Sequence, residues 1–252
     1  MTLIDEHIDM TKVSMADVAL TFPGALEILT KYKLDFCCGG KKPFREVCQK
    51  SGVDADEVWQ EIMQARATRG LDNRMNFNLW DLSLLIDFIL QHHHQYVRNS
   101  IPQISVLLDK VCSVHGSDTP ALFSIREDFN ALAEELMAHM PKEEGILFPA
   151  IRKIVDQAKA NMNVTAAQSH LKVIIGVMEH EHERAGDLIK SIRSLTENYT
   201  PPTYACPTFE MTYVMLNEFD NDLMQHIHIE NNVLFPKAVG EVLTGTDAQP
   251  WS

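Results

Sequence analysis

The chain has 252 residues, enough for one large domain or for a medium domain plus a small one. Hydrophobic residues make up 45% and charged residues 23%, the mix of an ordinary soluble globular protein. Thirty-five acids against 22 bases leave a formal net charge of -13, which argues against a surface built to track nucleic-acid phosphates and is compatible with a cation cargo or with simple solubility.

The opening MTLIDEHIDM has no basic stretch followed by an apolar one, so no secretory signal is expected. No apolar run reaches the roughly 18 residues of a membrane span. The stretch from Leu82 to Leu90 is interrupted by Ser83 and Asp87. Five cysteines, an odd number with two adjacent, predict no disulfide framework and a reduced, cytoplasmic setting.

Residues 11–67 read as a small helical unit. Ser14 caps a helix over Ala16 to Ala19, Pro23 opens one from Gly24 to Tyr32, and Pro43 opens a third. Asp54 or Asp56 caps a fourth, which carries Val58, Trp59 and Ile62. Between the second and third lies the turn Asp35-Phe36-Cys37-Cys38-Gly39-Gly40, with two thiols on it. Residues 68–78 are polar, contain Gly70 and lack periodicity, so they read as a linker.

Residues 79–240 carry helical periodicity throughout. Ile86, Leu90, His94, Val97, Ile101, Ile104 and Leu108 form one stripe; Ile125, Phe129, Leu132, Leu136, His139 and Glu143 a second. Leu171, Ile175, Met178, His182, Ala185, Ile189 and Ile192 form a third, and Leu216, Phe219, Leu223, His226, Glu230 and Val233 a fourth. Four amphipathic helices with moderate connections predict an all-α, antiparallel four-helix bundle.

Every stripe contains a histidine, and two add a glutamate four residues on. The segment His139-Met-Pro-Lys-Glu143-Glu-Gly-Ile-Leu-Phe148-Pro149 recurs as His226-Ile-His-Ile-Glu230-Asn-Asn-Val-Leu-Phe235-Pro236. Upstream, His92-x-His94 recurs as His180-x-His182. Residues four apart stack on one helix face about 6 Å from each other, so each His and Glu converge on one inward point. A carboxylate buried in an apolar stripe is costly unless a metal compensates it. His180 shares its face with Glu183, Arg184 and Asp187 and is expected in solvent, as is its counterpart His92. His93 stays open as a candidate, because Leu82, Ile86 and Ile89 lie on its side.

Two glutamates bridging two metals, with an oxo or hydroxo bridge, would give each metal three oxygens, and four histidines would leave both five-coordinate. His115 has no counterpart in the repeat, where Pro202 stands instead. If His115 binds, one metal is saturated and the other keeps an open position for a small molecule. Imidazole and carboxylate donors suit iron better than structural zinc and also admit manganese. Pro141 removes a helix hydrogen bond between His139 and Glu143, so a kink is expected there. A kink that turned Glu143 off its face would end any bridging role.

The Asp35-Phe-Cys-Cys-Gly-Gly-Lys41 turn, the two His-x-x-x-Glu phrases ending in Leu-Phe-Pro, and Thr200-Pro-Pro ahead of Cys206 together resemble the ScdA/YtfE-like "repair of iron centres" family over residues 11–239. The resemblance implies a hemerythrin-like bundle with a small helical N-terminal domain and a non-haem, oxo-bridged centre of two iron ions. The family's ligands carry over onto His94, His115, His139, Glu143, His182, His226 and Glu230, with both glutamates bridging. This selects His94 over His93. The resemblance further implies repair of iron–sulfur clusters damaged by nitrosative or oxidative stress, by iron donation or by reduction of NO to N2O. The expected partners are damaged iron–sulfur proteins, with NO, O2 or peroxide as small ligands, no nucleic acid and no membrane; a homodimer is compatible. The alternative is a hemerythrin-type O2 or NO carrier or sensor, which would not need Cys37 and Cys38.

Those two cysteines are the remaining functional candidates. Nearby backbone N–H groups and the ammonium groups of Lys41 and Lys42 are expected to favour thiolate. A bond between adjacent cysteines would be strained and readily reduced. The pair is therefore expected to exchange electrons, iron or NO with the bundle.

Overall fold

Ser14 starts the first helix by a reciprocal exchange: its hydroxyl accepts the Asp17 N–H, and Asp17 reaches back to the Ser14 backbone. In a computed structural model that describes residues 9–22, 24–69 and 77–240, this helix is α1, Met15–Thr21. It is followed by α2 (Ala25–Lys31), α3 (Phe44–Lys50) and α4 (Ala55–Arg69). Gly24 precedes α2 with φ of 83°, a conformation that glycine adopts without strain. Pro23, expected to open α2, lies outside the described residues. Of the two aspartates considered for α4, Asp54 is the one that accepts backbone N–H groups, from Asp56 at 2.8 Å and from Glu57. Helix α4 continues two residues into the stretch expected to be linker, most of which lies outside the described residues.

The long helices follow: α5 (Leu82–Phe88), α6 (Gln95–His115), α7 (Ala121–Lys142), α8 (Phe148–Lys159), α9 (Thr165–Leu195), α10 (Pro207–Ile229) and α11 (Phe235–Ala238). Three wide π-helical turns join consecutive pieces without breaking them: Ile89–His94 between α5 and α6, Glu143–Leu147 between α7 and α8, and Glu230–Leu234 between α10 and α11. In the two repeated segments a proline stands second in the helix that follows, Pro149 and Pro236. It has no N–H for the carbonyl four residues back, and its ring crowds that carbonyl, which favours a wider turn before it. Among the described residues there is no strand, only an isolated bridge between Ser14 and Pro43.

The chain divides into two compact units. One is the chain up to Asp81 together with the part from Ile227 onward; the other is Leu82–His226. In the first, Met15, Val18, Leu29, Phe44, Val58 and Ile62 are fully buried, and Trp59 meets the edges of Phe22 and Phe44. Each such side chain contributes about 1.5–3 kcal/mol of burial. The C-terminal stretch belongs to this core through named bonds. Asn232 donates to the carbonyls of Phe36 and Cys37, His228 Nδ1 lies 3.2 Å from the Phe36 carbonyl, and Lys237 donates to the carbonyls of Asn78 and Trp80.

In the second unit the helices run antiparallel. Asp87 meets Arg152, His94 meets Glu144 and Asp109 meets Arg126, so α5–α6 descends as α7–α8 climbs. Lys142 with Glu181 and Ser191 with Asp128 set α9 against α7 in the same sense. The apolar stripes face inward, with Ile104, Leu108, Ile125, Phe129, Leu132 and Ile189 buried. No described helix is long and apolar enough to cross a membrane.

Candidate metal centre

The four stripe histidines turn inward as their periodicity requires. His94, His139, His182 and His226 are all buried, and Glu143 is fully so. Donor atoms of His94, Glu143 and His226 lie within 4.8 Å of one another, as do those of His139, Glu143 and His182. Glu143 belongs to both clusters. Its Oε1 is 3.3 Å from His139 Nε2 and its Oε2 is 3.3 Å from His94 Nε2. In the second cluster His182 Nε2 is 3.1 Å from His139 Nε2. Two nitrogens this close point at one shared space.

The kink feared at Pro141 does not turn Glu143 away. Pro141 lies inside α7, and the Glu143 N–H donates to the His139 carbonyl beyond it. The widened turn begins at Glu143 itself, and His94 ends another such turn. Wide turns of this kind concentrate at functional positions, because the extra residue re-aims a side chain without ending the helix.

The outward nitrogens are held as well. His94 Nδ1 is 2.7 Å from Glu144 Oε1, which also accepts from Arg98. His139 Nδ1 is 2.7 Å from Glu181 Oε2, and Lys142 donates to the other oxygen of Glu181. With Nδ1–H donated to a carboxylate, Nε2 is left as a lone pair facing the clusters, which is how proteins present imidazole to a metal. Partial burial pushes the carboxyls of Glu144 and Glu181 up, but the hydrogen bonds and charges of their basic partners outweigh it and hold both below the usual glutamate range. Sequence reasoning missed both residues. The available signal was their adjacency to ligand positions, Glu144 after Glu143 and Glu181 before His182.

Three further candidates remain to be placed. Glu230 is fully buried and opens the wide turn one step beyond α10, four residues after His226. His115 joins neither cluster; it ends α6 half-buried, with Nε2 3.3 Å from Cys206 Sγ. His93, left open by periodicity, is fully buried, but its Nδ1 faces Asp222 Oδ1 at 3.0 Å and it joins neither cluster.

Cys37 and Cys38 carry unbridged sulfurs 3.6 Å apart. The expected thiolate is not supported at Cys37. Burial, then the hydrogen bond and charge of Cys38 and the charge of Asp35, push its thiol well above the ordinary range. The backbone N–H groups of Cys38 and Gly39 are taken by Asp35 Oδ1, at 3.0 and 2.9 Å, so a carboxylate occupies the place expected for a thiolate. Asp35, Cys37 and Cys38 nonetheless bring three donors within 4.8 Å.

Imidazole nitrogens and carboxylate oxygens converging in a buried site fit a first-row transition metal, and Glu143 alone offers one oxygen to each of two positions. Residues 85–238 match the family described as Hemerythrin HHE cation binding domain, and residues 11–66 match a Domain of Unknown function (DUF542). An iron-sulfur cluster repair protein YtfE of Edwardsiella ictaluri is 36% identical over 228 residues, 90% of this chain and 97% of that one. The chain belongs to this hemerythrin-like cluster-repair family. A probable iron-sulfur cluster repair protein of Haemophilus influenzae is 34% identical across 90% of this chain and 96% of its own. A YtfE protein of Yersinia pseudotuberculosis is 33% identical across 92% and 98%. Members of the family thus match the small N-terminal unit and the bundle as one chain.

Proposed function

We propose that this protein repairs iron–sulfur clusters damaged by nitrosative or oxidative stress, using a di-iron centre in its bundle. The observation that carries the metal part is the placement of Glu143, with Oε1 toward His139 and Oε2 toward His94. The repair part rests on the cluster-repair relatives, which align with the chain almost end to end. Residues 11–67 serve as the small domain, 68–78 as linker and 79–240 as the bundle.

His94 and His226 would hold one iron, His139 and His182 the other, with Glu143 shared between them. Glu230, a turn past His226 on the same run of helix, is the second shared carboxylate. His115 completes the set, which requires its ring to leave the Cys206 thiol. Two ferrous ions there would supply the electrons for reduction of NO, or a labile iron for donation. The protein's own part is to exclude water from the pocket and to hold the ligand rings fixed. Glu144 and Glu181 keep each Nδ1 protonated, so that Nε2 remains a donor. Cys37 and Cys38, with Asp35, form a second donor group suited to accept iron or NO. Five free cysteines support a cytoplasmic setting.

The test is anaerobic mixing of the reduced, iron-loaded protein with NO, following iron content and N2O, and then incubation with an NO-inactivated iron–sulfur dehydratase. About two irons per chain in the bundle and recovery of dehydratase activity are expected. N2O formation assigns reduction; recovery without N2O assigns iron donation. Two irons with neither outcome would favour a carrier or sensor, and no iron would overturn the reading.

A further inference from the structure

Asp222 lies four residues before His226 on α10, and it draws two histidines that the bundle clusters leave aside. Its Oδ1 is 3.0 Å from His93 Nδ1 and 4.0 Å from His92 Nε2. The wide turn Ile89–His94 carries both rings, and Phe88 packs against them. Phe88 stacks on His92 at 5.0 Å and meets His93 edge-on at 5.3 Å, while His93 lies parallel to the His226 ring at 5.2 Å.

A plain hydrogen-bonded pair accounts for only part of this arrangement. One Nδ1–H donated to Oδ1 uses one nitrogen and one oxygen. Asp222 Oδ2 is also buried and has no hydrogen-bond partner among the described residues. Buried polar atoms left in that state are costly, so each one asks for an explanation. The ring of His92, in contrast, is 58% exposed and can swing.

We propose that His92, His93 and Asp222 form a second site, for a divalent first-row transition metal, ferrous iron foremost. Two imidazoles and one carboxylate are a recognised donor set for ferrous iron with open positions left over. Bonds of about 2.1 Å place neighbouring donors about 3 Å apart, which the His93–Asp222 pair already matches. His92 must close by about 1 Å, within reach of an exposed side chain. The cation replaces the proton between His93 Nδ1 and Asp222 Oδ1 and can draw in Oδ2 as well. The exposed His92 gives it a route from solvent. The site uses none of the ligands proposed for the bundle, so it stands whether or not the bundle holds iron.

The test uses full-length protein, reduced, stripped with a chelator and dialysed anaerobically against Co2+, with bound metal counted by elemental analysis. His92→Ala and Asp222→Asn are each expected to bind about one equivalent less than wild type. Glu143→Gln, which alters the bundle instead, is expected to retain that equivalent. Because the readout is a difference between variants, it does not depend on how many metals the bundle takes. Equal counts in wild type and His92→Ala would overturn the proposal. His92 is exposed, so its removal leaves the fold intact, and it decides the matter even where Asp222→Asn fails to fold.

Discussion

His94 Nε2 lies 3.3 Å from Glu143 Oε2, and neither side chain has any exposure to solvent. The two residues come from helices that the sequence separates by 49 positions, and their meeting depends on antiparallel pairing of α5–α6 with α7–α8. A carboxylate buried beside two imidazoles is costly to desolvate unless its charge is met. With a cation between them, all three serve as ligands at once.

Glu143→Gln therefore keeps the shape of the side chain but removes its charge and one oxygen donor. The variant is expected to fold with unchanged helicity and to hold at most about half the bundle iron of the wild type, since each of the two proposed irons would lose a shared ligand. Iron per chain by elemental analysis, beside a far-UV melt, checks this. Full iron content in the variant would remove Glu143 from the site.

The carboxylates behind the ligands make a separate prediction. Glu144→Gln or Glu181→Gln removes the charged acceptor of a ligand's Nδ1–H and should weaken iron binding about 10- to 100-fold without abolishing it. Competition against a calibrated chelator reads the affinity. A pH dependence accompanies it. Both carboxyls are held below their ordinary value of 4.5 in the fold, by their basic partners against the opposing effect of burial. Their contribution to stability is then complete above that value and is lost as the pH falls through the lower folded one. Each glutamine variant should show a shallower acid limb than wild type as the pH falls below 4.5.

The helices and the inward residues were legible because their signal is strong and local. A stripe repeating every three or four residues fixes which face is buried, and a histidine or glutamate on that stripe is placed with it. Periodicity could not show the wide turns at His94, Glu143 and Glu230, because one extra residue in a turn still leaves apolar spacings of three and four. Glu144 and Glu181 escaped because they sit beside the stripes, where acids are ordinarily solvated. The thiolate expected at Cys37 failed for a different reason. Local N–H groups and lysines were weighed, but burial of the sulfur and the Asp35 carboxylate were not visible, and those dominate. Nor could periodicity reveal that Asn232 belongs with the cysteine turn, since a buried asparagine reads as a surface residue.

Asn232 offers a direct test of that association. Its amide donates to the Phe36 and Cys37 carbonyls, and a methyl added to Gly40 would sit 2.6 Å from Asn232 Oδ1. Asn232→Ala leaves two buried carbonyls short of a donor and should cost about 1–3 kcal/mol. Gly40→Ala should destabilise through the clash. In both variants Cys37, now 2% exposed, should be alkylated faster than in the wild type, while Cys48 serves as the internal control. Unchanged alkylation of Cys37 would show that this contact does not shield the thiol.

The last prediction concerns the end of the bundle away from the clusters. Arg193 on α9 grips Asp220 on α10 with two parallel bonds, Nε to Oδ2 and NH2 to Oδ1, each 2.5 Å. Tyr199 adds a third donor to Oδ2 at 2.8 Å, and burial together with the neighbouring carboxylate pushes its hydroxyl pKa far up, so it stays protonated and keeps donating. Paired and saturated, such a group need not stabilise the fold more than apolar residues of the same size would. Broken, it is another matter. Asp220→Ala takes the carboxylate away from a buried guanidinium, which should cost about 3–5 kcal/mol. Asp220→Asn should cost less, because an amide oxygen still accepts one bond. Chemical denaturation of the two variants, compared at equal iron content, gives the order; equal losses would mean that the charge rather than the hydrogen bonds holds α9 to α10.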